Sequence, residues 1–523
     1  MTIRISKSLY VRGLQCHKGI YLERHNRELK VVSESAQGLI RNGYLVGEAA
    51  RGLFPGGVLI PYIPRQDGQD EQVRLTLEAI ESGAEVIYEA AFLFDGAFTK
   101  VDILCKEDSG SGWSIHEVKS GTSADPSYLE DIAFQYHVVT GSGLPISTAN
   151  LVYINSEYIR QGELDLNELF TRLDVTPFAV EKGEFVVEEL ARQHAILAGE
   201  MPEQSIGMFC ASPYECEYKG HCWSHIPVDS VFDLKGNGIK KDDLYGKDIV
   251  RQADIPADIL KRMNAKQRQQ VEATINQANS YNEKAVMTFL DRLKFPLSLF
   301  DVETFSTPIP MYDGMKPYQQ TAFQYSLHVI NADGSVQHRE FLAEPGIDPR
   351  QHFIESLSAN MPQEGSVVAY NMSFEKGVLA GLAQRFPEYQ ELVACWVAGM
   401  VDLMVPFRQR DIYFWRMKGS YSIKYVLPAL VPELSYKDFE ITNGAAAMEA
   451  YHEMCAVRFD VEKLAVIRRN LLKYCHLDTF AMVRLIEALR VLVASGLEAF
   501  EGPLEEAVEM AHVETTLEDL VVV

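Results

Sequence analysis

The sequence predicts an α/β protein of two domains joined by a helical connector, and three observations carry that prediction. Short apolar runs of strand length alternate with helix-length segments over residues 1–225. A polar stretch rich in Lys, Asp and Gln then interrupts the pattern over 226–294. The strand–helix alternation restarts at 295 and runs to 495, leaving an acidic tail at 496–523. A length of 523 residues and 47% hydrophobic content suit a chain with more than one buried core.

The elements follow in order. In the first block "AEVIYEAAFLF" and "TKVDILC" read as a strand hairpin, "WSIHEVKS" as a third strand, "SYLEDIAFQYHVVTG" as a helix and "ANLVYIN" as a strand beyond it. The connector segment "PADILKRMNAKQRQQVEATINQANSYNEKAVMTFLDRL" reads as helix. In the second block "PLSLFDVETF" is an apolar strand, and "AFQYSLHVI" and "VQHREFLAE" form a hairpin through "NADGS". A strand "SVVAYN" leads into a helix from about Phe374, and long helices follow residue 460.

Composition narrows the function. A net charge of −24 argues against coating of a polyanion but leaves open a nucleic-acid enzyme, because bound metal ions offset clustered carboxylates. No GxxxxGK[ST] is present, so any ATP-driven motor is a separate partner, such as a helicase. No apolar run approaches eighteen residues, and "MTIRISKSLYVRGLQC" lacks a signal-peptide core, so a cytoplasmic protein without membrane contact is expected. Eight cysteines in a reducing compartment point to packing, metal binding or chemistry rather than disulfides.

Within "WSIHEVKS", Glu117 and Lys119 fall on one strand face. There a carboxylate can ligate a hard cation beside an ammonium that stabilises phosphate charge. Asp102, on the preceding strand, offers a second oxygen ligand, and such a pair suits Mg²⁺ or Mn²⁺. A bare ExK is more often a cross-strand ion pair; Asp102, Glu89 upstream and Gln135 on the next helix set this one apart. Together these residues resemble the PD-(D/E)xK nucleases, and more narrowly their RecB-like branch, over residues 1–225. The resemblance implies a restriction-endonuclease-like domain with Asp102, Glu117 and Lys119 as its core motif, Glu89 as its upstream acid and Gln135 as its helical glutamine. The helix segment "GYLVGEAARGLF" holds no histidine where RecB-like members often carry one.

"CASPYECEYKGHC" places Cys210, Cys216 and Cys222 at even five-residue gaps, one ligand short of a tetrahedral site. Members of the same branch hold an iron–sulfur cluster with one cysteine before the core and three after it, and Cys16 is the cysteine before it here. The resemblance therefore implies a 4Fe–4S cluster on Cys16, Cys210, Cys216 and Cys222, a donor set that suits it chemically. Zinc on three cysteines with His221 or His225 is the rival. Cys105, Cys395, Cys455 and Cys475 lie in apolar contexts and read as core fillers.

In "LSLFDVETF", Asp301 and Glu303 share a face at the end of an apolar strand, an arrangement that is costly without a cation. Glu375 opens a helix after another apolar strand, and Tyr474 and Asp478 stand one turn apart in "LLKYCHLDTFAMVRL". Four such carboxylates can hold two divalent ions for in-line phosphodiester displacement. The set resembles the DEDD exonucleases of the RNase H-like fold, in the tyrosine-containing subclass, over residues 295–490. The resemblance implies Asp301, Glu303, Glu375 and Asp478 as metal ligands and Tyr474 as the residue that orients water. Glu375 stands where Asp is usual, while Asn371 and Phe374 keep their places. Between these motifs Asp402 reads as a supporting acid, Lys418 and Lys424 as phosphate contacts, and Tyr413, Phe414 and Trp415 as base-stacking candidates against a bland reading as core and surface.

The expectation is thus a metal-dependent nuclease with two centres, acting on DNA rather than RNA and from chain ends, in repair or defence against foreign DNA. The alternative is a nucleic-acid-binding or assembly protein in which the first centre, or both, has lost catalysis.

Overall fold

The computed structural model describes residues 3–32, 34–64, 68–107, 112–436 and 439–500, with side chains 34–37 left aside. Contacts among them divide the chain into two units, Met1–His225 with Ser306–Gln319, and Ile226–Phe305 with Gln320–Val523. Both are mixed α/β.

The first unit is built on a seven-stranded sheet of β1 (Ile5–Ser6), β2 (Val58–Leu59), β3 (Val86–Phe94), β4 (Ala97–Lys106), β5 (Trp113–Lys119), β6 (Ile146–Ile154) and β7 (Phe170–Asp174). Strands β2 to β7 lie side by side in sequence order, and β1 pairs with β4. β3 and β4 are the predicted hairpin, turning at Asp95-Gly96, where both residues take positive φ. β5 runs antiparallel to β4 and parallel to β6, and the parallel pair is joined by the helix Pro126–Gly141. That helix starts with Asp125 accepting from Ser127 N and with proline at its first position. Its Phe134, Val138 and Val139 are buried with Ile87, Phe92 and Leu104 of the sheet.

The second unit contains β8 (Ser280–Tyr281), β9 (Leu297–Phe305), β10 (Thr321–Ile330), β11 (Val336–Leu342), β12 (Ser366–Ala369), β13 (Met400–Asp402) and β14 (Ile412–Tyr413). Its main sheet has the order β11-β10-β9-β12-β13, antiparallel on the β11 side and parallel on the β13 side. All ten residues of β10 are buried, as befits a strand covered on both faces. One cover is the helix Val461–Ser495, whose buried side includes Leu471, Cys475, Leu485 and Leu489.

Two differences from the sequence reading concern the middle of the chain. Residues 226–294 group with the second unit instead of standing apart, and Val231, Leu234, Leu244, Ile259 and Val271 give them an apolar core of their own. The expected helix there is broken into Ala257–Arg262, Ala265–Asn276 and Glu283–Leu290. Asn264 and Asn282 cap the second and third pieces, so the polar residues that looked helical begin helices instead. Of the predicted tail, residues 501–523 lie outside the described residues.

Candidate active sites and a thiol cavity

In the first unit, β4, β5 and the helix Pro126–Gly141 bring Asp102, Glu117, Lys119 and Gln135 together. The β4–β5 ladder pairs Ile103 with His116 and stops there, and Asp102 Oδ2 instead accepts from Val118 N at 2.7 Å. Glu117 is 1% exposed, with Lys119 Nζ at 2.8 Å and Gln135 Nε2 bonded to its other oxygen. A fifth member escaped the sequence reading: Lys7 Nζ lies 2.6 Å from Glu117 Oε1. The two stand 110 positions apart in the chain, and no spacing rule reaches that far. Asp131, on the same helix as Gln135, holds Lys119 from the other side.

Burial pushes up on Glu117, but Lys119 and Lys7 overcome it and hold the carboxyl below its ordinary range. For Asp102 burial together with the charge of Glu117 outweighs the pull of Lys7 and of the Val118 N–H, and raises it to about 7. Glu89 sits on β3 at φ 58°, where the β3–β4 pairing skips it, and forms ion pairs with Arg51 and Lys100. It still contributes to the negative field at Asp102. This centre therefore offers Asp102 as an open carboxylate, while Glu117 would have to exchange an ammonium for a metal ion.

In the second unit, Asp301, Glu303 and Asp478 each place a carboxylate oxygen within 4.8 Å of the other two. β9 supplies the first pair, and the helix Val461–Ser495 supplies Asp478 and Tyr474. Burial, then the charges of Asp478, Glu303 and Glu375, drive Asp301 well above the carboxylate range. Glu303 rises likewise by burial and Asp478, with Lys424 pulling against it. Glu375, 3% exposed near the start of the helix Ser373–Arg385, is pushed by burial to about 8, and its Oε2 has no hydrogen-bond partner. Asp478 rises to about 6 by burial, moderated by hydrogen bonds from Tyr436 and Tyr474. A crowd of buried carboxylates with one orphaned oxygen is a donor set that fits hard divalent cations.

Supporting contacts explain how the set is held. Asp402 Oδ1 accepts from Asn371 N and Met404 N, each at 3.0 Å, and so fixes the turn (Asn371 φ 74°) that launches the helix bearing Glu375. Tyr436, absent from the sequence reading, donates to Asp478 Oδ1 at 2.7 Å. Lys424 is bonded to Thr442 O beside the site. Tyr413 and Phe414 are 0% and 2% exposed, so they are core residues and not a stacking surface; Tyr413 lies on β14, paired with Ser280 of β8. Lys418 is exposed in a left-handed turn after Trp415.

The four predicted cysteines line one small cavity, together with Gly19, Leu22 and Tyr218. Cys16 lies between the helices Lys7–Gln15 and His17–His25, where its Sγ accepts from Gly19 N. The segment carrying Cys210 and Cys216 is tied to that helix pair by Gln15 Nε2, which donates to Phe209 O and Tyr214 O, and by an Arg12–Glu217 ion pair. Burial raises the thiols of Cys16, Cys216 and Cys222. His221 and His225 are exposed and do not line the cavity. Among the described residues no three of these sulfurs and imidazoles lie within 4.8 Å of one another. Zinc would need its ligands about 3.8 Å apart, given Zn–S bonds of about 2.3 Å. A four-iron cluster binds each thiolate to a different metal atom and so accepts wider spacing. Cys395 departs from the core-filler reading because it is exposed, whereas Cys105 and Cys475 are buried as expected, Cys475 with its thiol 3.8 Å from Asp301 Oδ2.

A family model described as a domain of unknown function, DUF2779, matches residues 298–422. That span holds Asp301, Glu303, Glu375 and Asp402 and ends before Tyr436, Tyr474 and Asp478. No curated protein matches the chain. Among solved structures, the crystal structure of SSO0001 is similar to 43% of this chain and 89% of its own, at 13% identity and a TM-score of 0.22. Among the described residues no helix is long and apolar enough to cross a membrane.

Proposed function

We propose that the chain is a metal-dependent nuclease that hydrolyses phosphodiester bonds, with its principal centre at Asp301, Glu303, Glu375 and Asp478. The observation that carries this reading is the convergence of Asp301, Glu303 and Asp478 to within 4.8 Å, each driven upward by burial. Such a cluster spends folding stability unless it serves a cation. Mg²⁺ or Mn²⁺, when bound, supplies charge stabilisation for the attacking and leaving oxygens. Tyr474 is held protonated by burial and by Asp478, so it acts as a hydrogen-bond donor and orients the attacking water rather than removing its proton. Tyr436 fixes Asp478, Asp402 fixes the turn before Glu375, and Lys424 contributes positive charge beside the phosphate.

The first unit is read as a RecB-like PD-(D/E)xK domain carrying a 4Fe–4S cluster on its four cavity cysteines, and the second as an RNase H-like exonuclease domain of the DEDD type. DNA, attacked from its ends, is the proposed substrate, with a separate helicase as a candidate partner and repair or defence in the cytoplasm as the setting. A second reading, in which the first centre grips nucleic acid without cutting it, is favoured by one observation: both oxygens of Glu117 are already engaged by Lys7, Lys119 and Gln135.

The test is digestion of end-labelled single- and double-stranded DNA with Mg²⁺ or Mn²⁺, comparing Asp301→Asn and Lys119→Ala. Loss of all cutting in Asp301→Asn, with Lys119→Ala unaffected, supports one working centre. Partial losses that differ in product pattern support two. A robust activity that neither substitution alters defeats the proposal, as does inactivity of the unaltered chain with every metal and strand form.

A further inference from the structure

A cluster outside the carboxylate site joins three histidines that the sequence reading did not single out. His328 on β10 stands opposite His338 on β11, and His476 reaches them from the helix Val461–Ser495. One ring nitrogen from each lies within 4.8 Å of the other two. The ring centroids are 4.5 Å apart for His328 and His338, 4.8 Å for His328 and His476, and 4.4 Å for His338 and His476.

The rings are tied into a hydrogen-bonded network. Thr479 Oγ1 contacts His328 Nδ1 at 2.8 Å, Ser326 Oγ at 2.6 Å and His476 O at 3.2 Å. Ser326 Oγ in turn contacts His338 Nε2 at 2.9 Å. These contacts engage one nitrogen of His328 and one of His338, and leave His328 Nε2 and His338 Nδ1 as the second nitrogens of those rings. A ring that donates from one nitrogen into a fixed partner while the other keeps its lone pair is how metal-ligating histidines are oriented. His328 is 3% exposed, whereas His338 and His476 are half-buried, so the cluster is built into the fold yet reachable from solvent.

We propose that His328, His338 and His476 hold one nitrogen-preferring divalent transition metal, with zinc as the representative ion, which clamps the β10–β11 hairpin to the helix bearing Tyr474 and Asp478. Three imidazoles suit zinc or cobalt over magnesium, whereas the carboxylate cluster next along the same helix has the opposite preference. Closing the three nitrogens from within 4.8 Å to the spacing of about 3.4 Å set by Zn–N bonds of about 2.0–2.1 Å asks only for small side-chain rotations. The site is independent of the nuclease reading, because it needs neither the carboxylates nor a nucleic-acid substrate.

The test is a cobalt(II) titration of the full chain in excess Mg²⁺, which fills oxygen sites, read by equilibrium dialysis and visible absorption. Thiolate-bound cobalt shows strong sulfur-to-metal charge transfer and imidazole-bound cobalt does not, so the cysteine cavity is separately visible. The unaltered chain is expected to bind one equivalent without charge transfer. His338→Gln and His476→Gln are each expected to lose that equivalent or to bind it at least tenfold more weakly, with the sulfur bands unchanged. Equal binding and equal spectra in both variants and the unaltered chain overturn the proposal, as does an unaltered chain whose bound cobalt is all on sulfur. If both variants misfold by circular dichroism, anomalous scattering at the zinc edge from crystals of the unaltered chain grown with zinc decides. A peak among the three rings sustains the proposal, and no peak there overturns it.

Discussion

Asp301 faces Glu303 and Asp478 without a positive partner of its own, and the electrostatic consequence is measurable without any substrate. In metal-free buffer the like charges oppose folding, and a bound divalent ion converts repulsion into attraction. Thermal melts should therefore show Mn²⁺ stabilising the unaltered chain, by about 2.7 kcal/mol at a hundredfold excess over Kd. Asp301→Asn should start from a higher melting temperature without metal and gain less from Mn²⁺; equal gains would mean the cluster binds no ion. The cysteines give a second residue-scale expectation. Burial pushes Cys105 to about 12 and Cys475 well above the thiol range, whereas Cys395 is exposed. Iodoacetamide on the folded chain at pH 8, read by peptide mass, should label Cys395 and spare Cys105 and Cys475, because the thiolate is the reacting form. An apolar neighbourhood in the sequence could not separate these three, since a helix buries only one of its faces: Cys395 falls on the outer side of the helix Gln390–Ala398, while Val393 and Trp396 face in. Lys7 and Tyr436 were illegible for another reason. Each meets its carboxylate across a chain separation, 110 and 42 residues, that only the completed sheet determines.

Elements carry the site through their junctions. β12 begins beside Gly365, which has φ 86° and whose missing Cβ would fall 2.0 Å from Pro296 O at the entry to β9. Any side chain there meets both backbone strain and a clash with main chain that cannot swing away. Gly365→Ala should cost at least about 2 kcal/mol in urea unfolding, and it should lower activity through the misplaced start of β9. A change of a few tenths would show that the two strand ends are free to separate. Asp402→Ala removes the acceptor for two backbone N–H groups at a 5% exposed position. A loss of about 1–3 kcal/mol is expected, and Asp402→Asn, which keeps an acceptor oxygen, should recover part of it. At this scale the sequence was most informative where pattern is local. The hairpins β3–β4 and β10–β11 were legible from paired apolar runs of strand length, the second joined through "NADGS", and the helix holding Gln135 from its length between two strands. It failed over 226–294, where Asn264 and Asn282 interrupt a polar run that has helical composition throughout, and where Val231, Leu234 and Leu244 are too sparse to reveal a core.

For the molecule as a whole, the cysteine cavity joins segments nearly two hundred residues apart within one unit. Cys16 stands at the junction of the first two helices, and Cys210, Cys216 and Cys222 follow the last strand and helix of that unit's sheet. A group bound to all four closes a loop of nearly two hundred residues, and loop-closure entropy assigns such a link a few kcal/mol. Protein contacts already join the same segments: Gln15 donates to Phe209 O and Tyr214 O, Arg12 and Lys30 pair with Glu217, Tyr218 donates to Glu23, and Val31 N donates to Glu217 O. The thiols, raised by burial, also have little to gain from facing one another unless a metal takes their protons. Anaerobic purification should therefore give a brown protein with near-stoichiometric iron and sulfide. Cys16→Ala and Cys216→Ala should then lose iron to a similar extent, and both should lower the melting temperature of the first unit's transition. If Cys216→Ala alone matters and the protein is colourless with bound zinc, His221 or His225 must turn inward to complete a three-cysteine site, and the long-range link through Cys16 is refuted. Equal losses of iron would instead mean that a ligand at position 16 and three beyond position 209 act as one closure.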